Sequence, residues 1–245
     1  MMTNQTLNKL LEMRLPAMEK EFRRQSELPA MSGLSFEERF SLMVEAEWNN
    51  RYDNKISRLL KAANLRCPSA SLEDIDFAPE RHLDKALVAR LSDMAWLAEC
   101  RNLFITGACG VGKTWLASAY GNAACRLGKR VASYRVSRLL DNLRAARADG
   151  TWGKLLAILK KPDLLILDDF GLDTLDATHC RDLLEIMEDR YASGSVLITA
   201  QLPVAEWHGV FEDATIADAT LDRLVHNSYR IELRGPSRRA ATENQ

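Results

Sequence analysis

Gly107-Ala108-Cys109-Gly110-Val111-Gly112-Lys113-Thr114 is the stretch whose reading decides the fold. The run fits G-x-x-x-x-G-K-[ST]. An apolar strand candidate, Asn102 to Thr106, precedes it, and apolar residues at helical spacing follow from about Lys113 to Leu127. Strand, glycine turn and helix in that order make a phosphate cradle. Glycines let the backbone curl so that successive N–H groups face anionic oxygens. The helix adds the positive end of its dipole. In this pattern Lys113 reaches the β- and γ-phosphates of ATP, and the Thr114 hydroxyl ligates Mg²⁺.

Further along, Leu164-Leu-Ile-Leu is a strand candidate that runs into Asp168-Asp169. Two adjacent carboxylates at the end of a buried strand repel each other and lose hydration, so they need a cationic partner. Mg²⁺ at Asp168 supplies one. Asp169 then stands where a general base polarises a water aimed at the γ-phosphate.

Around these two segments, short apolar strands alternate with helices. Val131 to Val136, Ser195 to Thr199 and Tyr229 to Leu233 complete a set of five strands. Helices are expected from Ser137, as N-cap, through Arg147, over 152–160 and over 179–192, with Gly128 ending the helix after the glycine loop. Such alternation implies an α/β fold with a mostly parallel sheet and helices on both faces. Residues 1–66 lack strand-like alternation and read as a small all-helical domain. Pro16 interrupts its first apolar run, and Ser35-Phe-Glu-Glu38 is a capping-box pattern. Residues 67–80 carry two prolines and several small or acidic residues, and read as a linker to a domain over 81–245. Trp48, Trp96 and Trp115 are expected in the core, and Trp152 in packing.

Composition sets limits. No apolar run approaches the length that spans a bilayer, and the N-terminus lacks the pattern of a signal peptide. Five cysteines without a Cys-x-x-Cys pair point to reduced thiols in the cytoplasm. The net charge of −1 argues against a dedicated nucleic-acid binder, but it hides a local excess. Between Arg126 and Lys161 ten Lys or Arg face only Asp141 and Asp149. A basic block of this kind is either a solvated helix face or a phosphate-binding stripe. Arg138, Arg144, Arg147 and Lys154 are its candidate DNA contacts. Trp152 is the only aromatic between Tyr134 and Phe170, which favours duplex backbone over stacked single strands.

Taken in order, the motifs resemble a family. Asp168-Asp-Phe-Gly171, Thr199-Ala-Gln201-Leu-Pro, Glu206-Trp207-His208, Leu221-Asp222-Arg223-Leu224 and Gly235-Pro-Ser237-Arg-Arg239 look like the AAA+ ATPases of the IstB type, which serve transposases of two-gene insertion sequences. The N-terminal segments Leu11-Glu-Met-Arg-Leu-Pro-Ala-Met18, Leu34-Ser-Phe-Glu-Glu-Arg39 and Glu45-Ala-Glu-Trp48 match as well. The chain is also similar to the DnaC and DnaI helicase loaders.

The resemblance implies an AAA+ P-loop fold with a rudimentary or absent lid. It places Gln201 at the sensor 1 position, where Asn is commoner. Arg223 matches an arginine finger for the neighbouring subunit's ATP. Arg239 falls at a sensor 2-like position, in a motif where Pro236 replaces the usual Glu. It further implies a homo-oligomer, ring or helical, that assembles with ATP on duplex DNA, deforms it, and delivers the target site to the transposase of the same element. A helicase loader is the alternative. A small-molecule kinase would need an acceptor pocket, for which the sequence offers no residues.

Overall fold

The computed structural model describes residues 2–238. They divide into two compact units with the boundary between Arg58 and Leu59. The first is helical: α1 (Met2–Glu12), α2 (Pro16–Glu27) and α3 (Phe36–Ala63), the last carrying the boundary. Pro16 opens α2 at its first turn, where a missing N–H costs nothing. The expected capping box forms: Glu38 N–H donates to Ser35 Oγ at 3.2 Å, and Ser35 N–H to Glu38 Oε2 at 2.8 Å. Buried Glu47 accepts from the N–H groups of Ala17 and Met18 at 3.0 and 3.3 Å, and so caps α2 from α3. Glu47 turns inward and its neighbour cannot, so Trp48 is 70% exposed, against expectation.

The second unit begins before the expected linker ends. Leu59, Leu60 and Ala63 pack into its core. Residues 67–80 are hydrogen-bonded into the unit: Asn122 Nδ2 donates to the carbonyls of Pro68 and Ala70. The helices α4 (Lys85–Ser92) and α5 (Ala95–Ala98) follow. Then come β1 (Asn102–Gly107), α6 (Lys113–Arg126), β2 (Val131–Arg135), α7 (Val136–Ala148), α8 (Trp152–Lys160), β3 (Leu164–Phe170), α9 (Ala177–Arg190), β4 (Ser195–Ala200), α10 (Ala214–Val225) and β5 (Ser228–Leu233). The expected cap at Ser137 is not used. Arg135 is the N-cap of α7, and Ser137 lies inside the helix. Asp84, Asp176 and Asp213 cap α4, α9 and α10 by accepting two N–H groups each.

All strands are parallel, in the order β2-β3-β4-β1-β5. Alternate residues face opposite sides. Leu103, Ile105, Ile166 and Leu197 meet α6 and the connector on one face, and Phe104, Leu165, Leu167 and Ile198 meet α7 to α10 on the other. Trp207 is fully buried between Phe104 and Phe170, with ring centroids 4.8 and 4.9 Å away. Trp96 is buried and Trp115 half-buried, as expected. Trp152 packs partly against the core. Among the described residues no helix follows β5, and none is long and apolar enough to cross a membrane. The expectation for Arg239 lies outside the described residues.

Candidate nucleotide site

The carboxyl ends of β1, β3 and β4 lie side by side, where ligands settle on an open parallel sheet. Between Gly107 and Gly112 the chain turns through three left-handed glycines, Gly107, Gly110 and Gly112, with φ of 143°, 83° and 99°. A Cβ on Gly107 would strike the carbonyl oxygen of Leu233, and one on Gly110 the side chain of Ser237. Gly112 is the N-cap of α6 and brings no capping side chain; a helix N-terminus of this kind presents its first-turn N–H groups to an anion.

Lys113 is 7% exposed and donates from Nζ to the carbonyls of Gly107 and Ala108, both at 2.7 Å. Thr114 Oγ1 donates to Asp168 Oδ1 at 2.9 Å. Thr199, buried at the end of β4, donates from Oγ1 to the same oxygen at 2.6 Å and accepts from Asp169 N–H at 3.0 Å. That bond pairs with a break in the β3–β4 register between Leu167 and Phe170, where Asp169 takes a left-handed φ of 63°. Asp tolerates that conformation better than most residues.

Two guanidinium groups close the acidic side. Arg66 Nη1 lies 2.7 Å from Asp168 Oδ2 and 3.1 Å from Asp169 Oδ2, and Arg135 Nε lies 3.0 Å from Asp169 Oδ2. The hydrogen bond to Asp168 raises the Arg66 pKa further, so the guanidinium stays charged at ordinary pH. Behind the loop, buried Arg81 donates to the carbonyls of Asp76 and Val111 at 2.7 and 3.3 Å, and burial lowers its pKa. The segment after β5 returns along the loop: Arg238 N–H donates to Gly110 O at 3.0 Å, and its side chain pairs with Asp76.

A cleft of about 640 Å³ opens here, lined by Lys113, Thr114, Asp169 and Gln201 together with Arg66, Arg135 and Arg238. The expected loop residues Ala108, Cys109 and Val111 sit within the turn, and exposed Gln201 follows β4 at its rim. Thr114 and Asp168 offer a hydroxyl and a carboxylate oxygen, hard donors that suit Mg²⁺. Among the described residues no group of three or more His, Cys, Asp or Glu forms a metal cage. A divalent ion here therefore needs phosphate oxygens or water to complete its shell.

Other expected residues lie elsewhere. Arg223, on α10, donates to Ala219 O at 2.7 Å and to Glu188 Oε1 at 2.8 Å, beside the amino ends of β1 and β4. It is outside this chain's own cleft, and its partner is Glu188 rather than the adjacent Asp222. Arg138 and Lys154 are exposed on α7 and α8. Arg144 meets His179 Nε2 at 3.1 Å and Asp176 at 3.5 Å. Arg147 is engaged inward: it donates twice to buried Asp182, at 2.9 and 2.6 Å, and covers the Trp152 ring at 3.6 Å. Sequence reasoning missed the roles of Arg66 and Thr199. Thr199 stood in a quoted motif beside Gln201, whereas nothing local ties Arg66 to a carboxylate 102 residues away.

Comparison with known proteins agrees with this geometry. The family described as IstB-like ATP binding protein matches residues 8–245. A protein of Sinorhizobium fredii, named for an insertion sequence and for ATP binding, is 46% identical over 98% of this chain and 97% of its own. A Pseudomonas fluorescens protein named for the insertion sequence IS1162 and for ATP binding is 45% identical over 83% and 88%. Among solved structures, DnaI is similar at a TM-score of 0.58 and 22% identity, covering 74% of this chain and 92% of that one. The DnaC helicase loader is similar at 0.52 and 19%, covering 67% and 97%. At these identities the likeness shows the fold, which is the AAA+ P-loop arrangement.

Proposed function

Because the chain belongs to the IstB-like ATP binding protein family, we propose that it hydrolyses ATP to control its own assembly on duplex DNA, deforming the duplex and presenting it to the transposase of the same insertion sequence. The observation that carries the ATPase part is the bond from Thr114 to Asp168 at 2.9 Å, beside Lys113 and the glycine turn.

In this reading Lys113 leaves the Gly107 and Ala108 carbonyls for the β- and γ-phosphates, and the loop N–H groups hold the remaining oxygens. Thr114 and Asp168 hold Mg²⁺, whose charge counters that of the phosphates when bound. Asp169 accepts a proton from the attacking water, and Gln201 orients that water at the rim. Arg223 faces away from its own cleft. It fits a finger that stabilises transition-state charge in a neighbouring subunit, which makes hydrolysis depend on assembly.

Support for DNA binding is the exposed charge of Arg138, Arg144 and Lys154 on α7 and α8. Contacts to phosphate give affinity without sequence information, which suits a helper that accepts many targets. The names of the relatives favour an insertion-sequence role over helicase loading. Phosphate release measured with and without duplex DNA tests the reading. Stimulation that rises with protein concentration is expected. Full turnover by an isolated monomer without DNA contradicts it.

A further inference from the structure

We propose that Arg66 occupies the metal face of the Asp168–Asp169 pair before nucleotide arrives, so that entry of metal and nucleotide is an exchange of cations. The inference rests on the reading that Thr114 and Asp168 take a divalent ion.

Asp168 is 1% exposed and its two oxygens are used differently. Oδ1 accepts from two hydroxyls, Thr114 and Thr199, which position it without neutralising it. Oδ2 takes its charge partner from Arg66. A buried carboxylate without a counter-charge is costly, so Arg66 keeps the site assembled while no divalent cation is there. The same Nη1 reaches Asp169 Oδ2, and Arg135 Nε meets that same oxygen. Two carboxylates and two guanidinium groups are then balanced.

A divalent ion on Asp168 upsets that balance. It supplies both positive charges that the two carboxylates need and competes with the guanidinium groups for their oxygens. Of the two, Arg66 is the one on Asp168, so it is the one that must leave. An arginine does not release its proton at any accessible pH, so the contact breaks by exchange and not by titration. The Arg66 side chain is 46% exposed and stands at the cleft wall, so its head has an aqueous place to go. Arg66 is on this account a positioning residue whose effect is read in how strongly nucleotide affinity depends on metal.

Calorimetry with AMPPCP on the full chain, in Mg²⁺ and in EDTA, gives that dependence as a ratio of affinities. In wild type the ratio exceeds one. In Arg66→Gln it rises about three- to fivefold, the scale of one half-exposed ion pair, because metal-free binding meets a buried Asp168 without its counter-charge while metal meets no competitor on it. Arg66→Lys keeps the charge and stays within about twofold of wild type. A ratio in Arg66→Gln equal to that of wild type overturns the proposal and leaves the ATP site standing. A wild-type ratio of one overturns the metal reading and this proposal with it. If Arg66→Gln does not fold, the wild type still decides: a structure with Mg²⁺ and AMPPCP must show Arg66 off Asp168, and retention of that contact overturns the exchange.

Discussion

Thr114 Oγ1 and Asp168 Oδ1 meet at 2.9 Å, joining the first turn of α6 to the end of β3 across 54 residues. The contact places a hydroxyl and a carboxylate on one spot beside Lys113. Thr114→Ala should therefore lose most of the metal-dependent share of nucleotide affinity, about tenfold, whereas Thr114→Ser keeps it. Titrations in Mg²⁺ and in EDTA read the difference. Equal behaviour of the two variants would detach Thr114 from the metal.

Arg223 pairs with Glu188 and not with any group of its own cleft. Arg223→Ala should bind ATP as wild type does and lose about 10³-fold or more of its DNA-stimulated hydrolysis. Mixing it with Lys113→Ala subunits should restore part of the activity, because each supplies what the other lacks. Normal turnover of Arg223→Ala alone removes the finger in trans.

Asp169→Asn should bind ATP, assemble on DNA and remain there. Its hydrolysis is expected to fall about 10²- to 10⁴-fold, the range for loss of a general base. Dissociation from labelled duplex after excess competitor DNA measures this. Release at the wild-type rate contradicts the role.

The basic block divides in two. Neutralising Arg138, Arg144 and Lys154 together should weaken duplex binding across sequences and flatten its salt dependence, by about 0.9 in log–log slope per lost phosphate contact. Arg147→Ala should act instead on stability. It leaves fully buried Asp182 without its cation and uncovers Trp152, at a cost of about 2 kcal/mol. Denaturant melts and salt titrations of the two variants separate the effects; a shared outcome contradicts the division.

Acid should loosen the first unit through Glu47. Burial pulls its pKa up, but Arg51 and the N–H groups of Met18 and Ala17 pull harder, and the net shift is down from 4.5. A depressed carboxylate stabilises above its unfolded pKa and loses that stabilisation as pH falls through the folded value. Glu47→Gln is thus expected to cost about 1–2 kcal/mol at neutral pH. The gap from wild type should narrow once pH drops below 4.5. Helix content followed by circular dichroism against pH checks it; a pH-independent gap contradicts it.

These residues also show what the chain discloses on its own. The sheet was legible because four-residue apolar runs such as Leu164–Leu167 are buried on both faces and bounded by turn residues. Lys113 and Thr114 stood out through the local spacing of one glycine-rich run, and Asp168 through a separate signal, an apolar strand that ends in two acids. Trp48 misled because a helical repeat gives the period of burial but not its phase. Glu47, with an N-terminus of α2 to cap, claimed the inward direction. α10 went unread because its start depends on a cap at Asp213 rather than on an apolar run. Arg66 and Arg147 were opaque for a common reason. Each finds its acid far along the chain, and only the folded sheet brings the two together.

The most direct test of the central claim is calorimetry of ATP with Mg²⁺ on the full, folded chain, beside Lys113→Ala. The account predicts saturable binding in the wild type and its loss in the variant. Absence of heat and of any thermal stabilisation with millimolar ATP, in wild-type protein of intact circular dichroism, would contradict it.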